Sequence, residues 1–269
     1  MRAQPGPRAK SLSVQWEELT ASDFPAAVKK AKGVCVLPIG VFEKHGPHLP
    51  LGTDVMAVRA VAIAGAQEEY AVVFPWYYFG QINEARHQPG CVSIRPELLN
   101  TILENVCEEI ARNGFDKILI VNGHGGNTDP VKKAMSRLHQ ETAAHVMIVD
   151  WWTVAFNIVN EVYGAKAQQS GHGDMEEAAL VMGFNPDLID KEMYEKLGKD
   201  NVSRAGTDAG VAMMPAWATS RLPETGAGYL NFELAKARAY AQKKADFIAD
   251  TFLEAVKRWE MMESWKKGK

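Results

Sequence analysis

The strongest constraint on the fold is a rhythm in the chain. Short apolar runs recur: "GVCVLPIG" (33–40), "AVVFPWYYF" (71–79), "KILIVNG" (117–123) and "HVMIVDWW" (145–152). Between them lie longer stretches of helical period: "DVMAVRAVAIAGAQEEY" (54–70), "RPELLNTILENVCEEIARNG" (95–114) and "TDPVKKAMSRLHQETAA" (128–144). Strands separated by helices imply βαβ units, and such units build a mainly parallel sheet covered on both faces. The expected class is therefore α/β, a three-layer α/β/α domain. The second helical stretch opens on Pro96 and ends in Asn113-Gly114, a common pattern at the two ends of a helix. A last helix is expected over 232–264, with its charges forming a solvated face, and the Gly-, Pro- and Met-rich stretch 184–230 is expected to form loops and short elements around a site.

Composition sharpens what such a domain does not do. With 46% hydrophobic and 23% charged residues over 269 positions, the chain can bury a large core, and no repeat or low-complexity linker divides it. Residues 1–10, "MRAQPGPRAK", are expected to be a disordered tail and 11–269 a single domain. A formal charge of −3 gives no electrostatic case for nucleic acid or an anionic membrane. No apolar run approaches a membrane span, and no apolar segment of signal-peptide type follows the basic start. Three scattered cysteines, none in a CxxC pair, fit a reducing compartment, so a cytoplasmic location is expected.

The chain has seven histidines, and two lie in "GVFEKHGPHLPLGTD" (40–54) beside two acids. Glu43, His45 and Asp54 follow the carboxyl end of the first expected strand, where ligands bind in open parallel sheets. Pro47 and Pro50 stiffen the connection and reduce the entropy lost in fixing ligands. Mixed imidazole and carboxylate donors suit Zn²⁺, Mn²⁺ or Fe²⁺. The plainer reading is that His45 and His48 hydrogen-bond locally while the acids are solvated or cap the helix.

A second element, "ILIVNGHGGN" (118–127), ends a buried strand in glycines around His124, at the same edge of the sheet. It is a tight turn, an anion cradle or a ligand site. The cradle reading lacks both GxxxxGK[ST] and GxGxxG. A third, "SGHGDMEEAALVMGFNPDL" (170–188), places His172 in a Gly-flanked entry and Glu176 and Glu177 in the first turn of an apolar helix. Acids there suit the helix dipole in any case. As a third His/acid cluster it would add a carboxylate ligand and an uncommitted histidine.

Together these elements resemble the creatininase (creatinine amidohydrolase) family. "EKHGPHLPLGTD" matches its E-x-H-G-x-H-L-P-x-x-T-D motif and "NGHGGN" its central motif, while "HGDMEEA" is a degraded match to H-A-G-x-x-E-T-S. The resemblance implies two divalent metals per subunit, Zn and/or Mn or Fe. Glu43 and His124 would hold one and His45 the other, with Asp54 bridging both. The remaining carboxylate is expected from Glu177, with Glu176 as the neighbouring alternative, because Gly126 stands where creatininase itself has a glutamate. Departures at Gly173, Asp174 and Ala178-Ala179 fall beside that assignment. His48, Asn122 and Asn127 are expected to support the ligands from behind, His48 by orienting a ligand carboxylate.

The implied chemistry is hydrolysis. Paired divalent ions make a shared water acidic enough to lose a proton at neutral pH and stabilise a developing oxyanion. His172 is the expected proton shuttle, since imidazole is the side-chain type suited to accept and return a proton near neutral pH. By the resemblance, the loop "WYYFGQINEARHQPGCVSI" (76–94) falls where the family has a substrate-side loop, with Trp76, Tyr78, Arg86 and His87 as candidate contacts, and Trp152 is a candidate pocket wall. The expected substrate is a small polar cyclic amide or another C–N compound. The alternatives are ring-opening C–C hydrolysis of a cyclic keto-polyol such as 3-dehydro-scyllo-inosose, or a silent metal-binding relative. A serine or cysteine hydrolase lacks its G-x-S-x-G elbow. By the same resemblance the chain is expected to form a closed homo-oligomer, often a hexamer in the family.

Overall fold

The computed structural model describes residues 11–83, 85–141, 144–164, 172–173, 175–196 and 231–267. The expectations for a tail at 1–10 and for loops over 197–230 lie outside the described residues. Four strands, β1 (Val34–Ile39), β2 (Val72–Val73), β3 (Lys117–Asn122) and β4 (His145–Asp150), form one sheet in the order β2-β1-β3-β4. Every pairing is parallel, and β1 runs alongside β3 from Val34↔Lys117 to Ile39↔Asn122. β2 is short because its chain turns away through Phe74-Pro75, touching β1 again only at the Ile39↔Tyr77 bridge.

The helices fall where the connections require. The short α1 (Phe24–Lys30) leads into β1. α2 (Thr53–Glu68) links β1 to β2 on one side of the sheet. α3 (Pro96–Arg112) carries the chain back past β1 to β3, and α4 (Thr128–Glu141) goes on to β4. A right-handed crossover that reverses its direction along the sheet must change face. The core records the change residue by residue. Val34, Val36, Leu119 and Val121 pack with Val58 and Val61 of α2. Their strand neighbours Cys35, Leu37, Ile118 and Ile120 pack with Leu103 and Ile110 of α3 and Val131 of α4. Alternate side chains of a strand point to opposite faces, so each strand serves two apolar layers and reads as a continuous apolar run.

The α2 face is completed by α5 (Ala155–Tyr163), α6 (Met175–Phe184) and α8 (Leu234–Lys267), while the short α7 (Lys191–Lys196) packs Tyr194 against a smaller cluster around Leu49. α8 departs from the expected solvated face at one position. Lys244 is 1% exposed, and its Nζ donates to the Trp151 carbonyl at 2.6 Å and lies 4.8 Å from the Trp151 ring centroid. A long aliphatic stem fills core space, and one carbonyl takes a proton of its head. Among the described residues, no helix is long and apolar enough to cross a membrane.

Candidate metal centre

The connections leaving β1 and β3 diverge to opposite faces and open a crevice between the carboxyl ends of the two strands. The start of α2 sits in that crevice because each strand is followed directly by a glycine. A Cβ on Gly40 would stand 2.7 Å from the Val55 nitrogen, and one on Gly123 would stand 3.0 Å from the Asp54 carbonyl oxygen. With side chains at either position, α2 would be held off and Asp54 would be carried out of reach.

Four segments then place their side chains together. Glu43 and His45 come from the loop after β1, Asp54 from the first turn of α2, His124 from the turn after β3 and Glu177 from the first turn of α6. His45 Nε2 lies 3.0 Å from Asp54 Oδ1 and 3.4 Å from Glu177 Oε2. His124 Nδ1 lies 2.7 Å from Glu43 Oε1 and 3.2 Å from Asp54 Oδ2. Glu43, His45, Asp54 and His124 are all buried, and Glu177 is nearly so. Each histidine turns its other ring nitrogen to a backbone carbonyl. His45 Nδ1 is 3.2 Å from the Glu43 oxygen, and His124 Nε2 is 2.9 Å from the Gln81 oxygen. Those carbonyls only accept, so each fixes which nitrogen is left to face the carboxylates.

Electrostatics show what the arrangement demands. Burial works against a charged ring at His45, yet the Glu177 and Asp54 carboxylates outweigh it and raise its pKa well above the ordinary value. His124 is raised likewise, burial being overcome by Glu43 and Asp54. Asp54 is lowered: burial alone would raise it, but His45 and His124 hold it ionised. Three carboxylates so gathered need positive charge. Despite the short approaches, His45 Nε2 and both Asp54 carboxylate oxygens make no hydrogen bond. Buried donor atoms that converge on shared points without bonding one another are what a cation requires. Glu43, Asp54 and His124 offer three ligand atoms within 4.8 Å of one another, as do His45, Asp54 and Glu177, and also Glu43, His45 and His172. The donor set of imidazole and carboxylate suits Zn²⁺ or Mn²⁺, so the residues fit a divalent metal.

The two acids at the start of α6 separate clearly. Glu177 Oε2 accepts the Gly173 N–H at 2.6 Å and faces His45. Glu176 turns inward toward Lys244. Burial raises its pKa to about 7, and burial lowers that of Lys244 to about 7. His172 stands at the solvent side, its Nε2 2.6 Å from the Lys44 carbonyl and 3.8 Å from Glu43 Oε2.

The supporting residues divide. Asn122 Oδ1 accepts the His124 N–H at 3.1 Å, and its Nδ2 donates to Asp150 Oδ1 at 2.8 Å. Asn127 Oδ1 accepts the Gln81 N–H at 3.3 Å. The expected contact of His48 with a ligand carboxylate does not form among the described residues. Neither of its ring nitrogens has a hydrogen-bond partner, and its ring packs 5.2 Å from that of Tyr194. Gly46, at φ 73°, lies in the turn between His45 and His48, and the chain past it runs into the apolar cluster around Leu49. Burial accordingly lowers the His48 pKa to about 4.

The substrate-side candidates are more dispersed. Trp76 is 52% exposed and lies against Arg59, whose Cζ is 4.9 Å from its ring centroid. Tyr78 packs 5.3 Å from Phe42 and 4.7 Å from Phe79. Arg86 and His87 are exposed on their loop. Trp152 is half-buried against the α2-side core, which takes in Trp151 completely. Sequence reasoning missed Asp150 and the Gln81 carbonyl. Asp150 carried a signal, an acid at the carboxyl end of an apolar run. A backbone carbonyl carries none.

Comparison with known proteins places this geometry. A family model described as creatinine amidohydrolase matches residues 17–258. The chain belongs to the creatininase family. It is a metal-dependent amidohydrolase of that family. It is 27% identical over 195 residues to the creatinine amidohydrolase of Pseudomonas putida, covering 67% of this chain and 75% of that one. Over 112 residues it is 36% identical to the mycofactocin precursor peptide peptidase of Mycolicibacterium smegmatis, covering 39% of this chain and 45% of that one. A creatininase crystal structure superposes with a TM-score of 0.72 at 23% identity, over 90% of this chain and 99% of that one, which supports the three-layer fold. Solved creatininases of the same fold include one described as an Mn form and one as a Zn-Zn type, each with a TM-score of 0.67.

Proposed function

We propose that Glu43, Asp54 and His124 hold one divalent cation and His45, Asp54 and Glu177 a second, and that the pair serves hydrolysis of a C–N bond in a small polar substrate. The observation that carries this reading is Asp54, whose two unbonded oxygens face two different histidines, 3.0 Å and 3.2 Å away. When bound, Zn²⁺ or Mn²⁺ supplies Lewis-acid polarisation of the scissile carbonyl and lowers the pKa of water. The chain supplies the rest. Glu43 and Glu177 balance the positive charge, and the carbonyls of Gln81 and Glu43 keep the two imidazoles in their metal-facing tautomers. His172 donates its Nε2–H in a hydrogen bond to the Lys44 carbonyl, so Nδ1 is the nitrogen that takes a proton and returns it to the leaving group.

The test is metal removal by a chelator followed by restoration with Zn²⁺ or Mn²⁺, read on a panel of lactams, ureides, formamides and keto-inositols. Recovered hydrolysis of a C–N substrate supports the reading. Turnover that is indifferent to metal, or confined to the keto-inositols, overturns it.

A further inference from the structure

His124 is gripped from both sides of its ring, and the outer grip crosses a glycine. Nε2 donates to the Gln81 carbonyl at 2.9 Å. Gln81 is itself fixed, because its N–H donates to Asn127 Oδ1 at 3.3 Å and its Oε1 accepts the Asn83 N–H at 3.1 Å. The loop that carries Gln81 is closed by Ile82 N–H to Ser93 Oγ at 3.0 Å and Ile94 N–H to the Gly80 carbonyl at 2.8 Å.

All of this passes directly over Gly126. A Cβ there would stand 2.3 Å from Gln81 Nε2, 2.6 Å from His124 Nε2 and 3.0 Å from the Gln81 carbonyl oxygen. The backbone does not require glycine at this position, since Gly126 is not among the residues with positive φ. What requires it is space. The adjacent Gly125, also without positive φ, has nothing within 4 Å of its would-be Cβ. Two neighbouring glycines of one turn therefore differ completely in what a methyl group would meet.

We propose that Gly126 is the clearance that lets the Gln81 main chain lock His124 with Nδ1 toward the cation, which makes Gly126 and Gln81 positioning residues of the metal centre. The inference rests on the reading of the centre given above. A methyl at position 126 displaces the flexible Gln81 carboxamide and also meets His124 Nε2 and the Gln81 carbonyl oxygen, the two ends of one hydrogen bond, so relieving those contacts disturbs that bond. Supporting contacts of this kind typically carry ~10–100-fold in metal affinity.

The experiment is isothermal titration of the metal-free protein with Zn²⁺ and with Mn²⁺, comparing wild type, Gly125→Ala and Gly126→Ala, with circular dichroism of each metal-free form. The expected result is wild-type affinity for Gly125→Ala and at least ~10-fold weaker binding for Gly126→Ala with its fold intact. Equal affinity in the two variants overturns the inference while leaving the metal centre standing. If Gly126→Ala does not fold, Asn127→Ala decides, since it frees the Gln81 N–H without adding bulk. Weaker metal binding by that variant supports the clamp and unchanged binding overturns it. A wild type that binds neither metal overturns the reading of the centre itself, and the clamp with it.

Discussion

The ring of His172 lies over that of His45, with centroids 4.2 Å apart and planes 30° from parallel. The two histidines therefore share one corner of the site under different commitments. His45 faces the carboxylates with an unbonded Nε2, whereas His172 has given its Nε2 to the Lys44 carbonyl at 2.6 Å. An N–H already donated to a carbonyl offers no lone pair to a cation. His172→Ala is expected to keep its metal content, measured by elemental analysis after dialysis, while turnover falls by ~10²–10⁴-fold. Loss of metal from this variant would make His172 a ligand.

The adjacent glutamates give a paired prediction. Glu177→Gln removes a charge 3.4 Å from His45 Nε2 and is expected to lower metal stoichiometry and activity together. Glu176→Gln alters a buried group whose Oε1 has no hydrogen-bond partner and is expected to leave stoichiometry unchanged. The reverse pattern in elemental analysis would move the ligand assignment to Glu176.

Asp54→Asn tests the shared carboxylate most directly. It keeps the shape but replaces one anionic oxygen with an N–H₂ donor, which cannot ligate, opposite His45 or His124. Expected are loss of metal at both positions and a fall in activity of ~10²-fold or more. An Asp54→Asn protein that retains full metal content would show that the two histidines belong to separate, unlinked sites.

Lys244 predicts a pH dependence of stability. Burial lowers its pKa to about 7, from an ordinary lysine value of 10.5. Between those values the unfolded chain holds a proton that the folded chain has released, so stability rises with pH across that window. Lys244→Met removes this titration while nearly preserving volume. Relative to the variant, the wild type should gain stability between pH 7 and 10, by at most ~1.4 kcal/mol per unit. Urea unfolding at pH 6.5, 8 and 9.5 reads the difference. A constant difference would mean that Lys244 is charged in the fold throughout.

Much of this was legible in the sequence because it rests on local pattern. The apolar runs named β1, β3 and β4 to within a residue or two, since a parallel strand buried on both faces has no polar side to confuse the reading. Glu43, His45, Asp54 and His124 stood out as acids and histidines beside glycine and proline after expected strands, whereas Glu177 was set before Glu176 only by the family's motif spacing. What was not legible depends on contacts between distant segments. Lys244 sits among Lys243, Ala245 and Asp246, and nothing local marks which of these charges turns inward. His48 shares a motif with His45, yet the turn at Gly46 takes its ring to Tyr194. β2 is only two residues long because the chain turns away at Phe74-Pro75, whereas the aromatic content of 74–79 favours an extended reading.

Because the donors arrive from four separate stretches of chain, no length of this polypeptide that ends before Glu177 holds the complete set. Translation delivers Glu43, His45 and Asp54 first, His124 some seventy residues later and Glu177 last. On the proposed ligand assignment a full complement of cations requires α6 as well as the sheet, and a chain stalled before α6 would present only the set of Glu43, Asp54 and His124. On that assignment a cation adds its binding free energy to the finished fold and little to the first steps of folding.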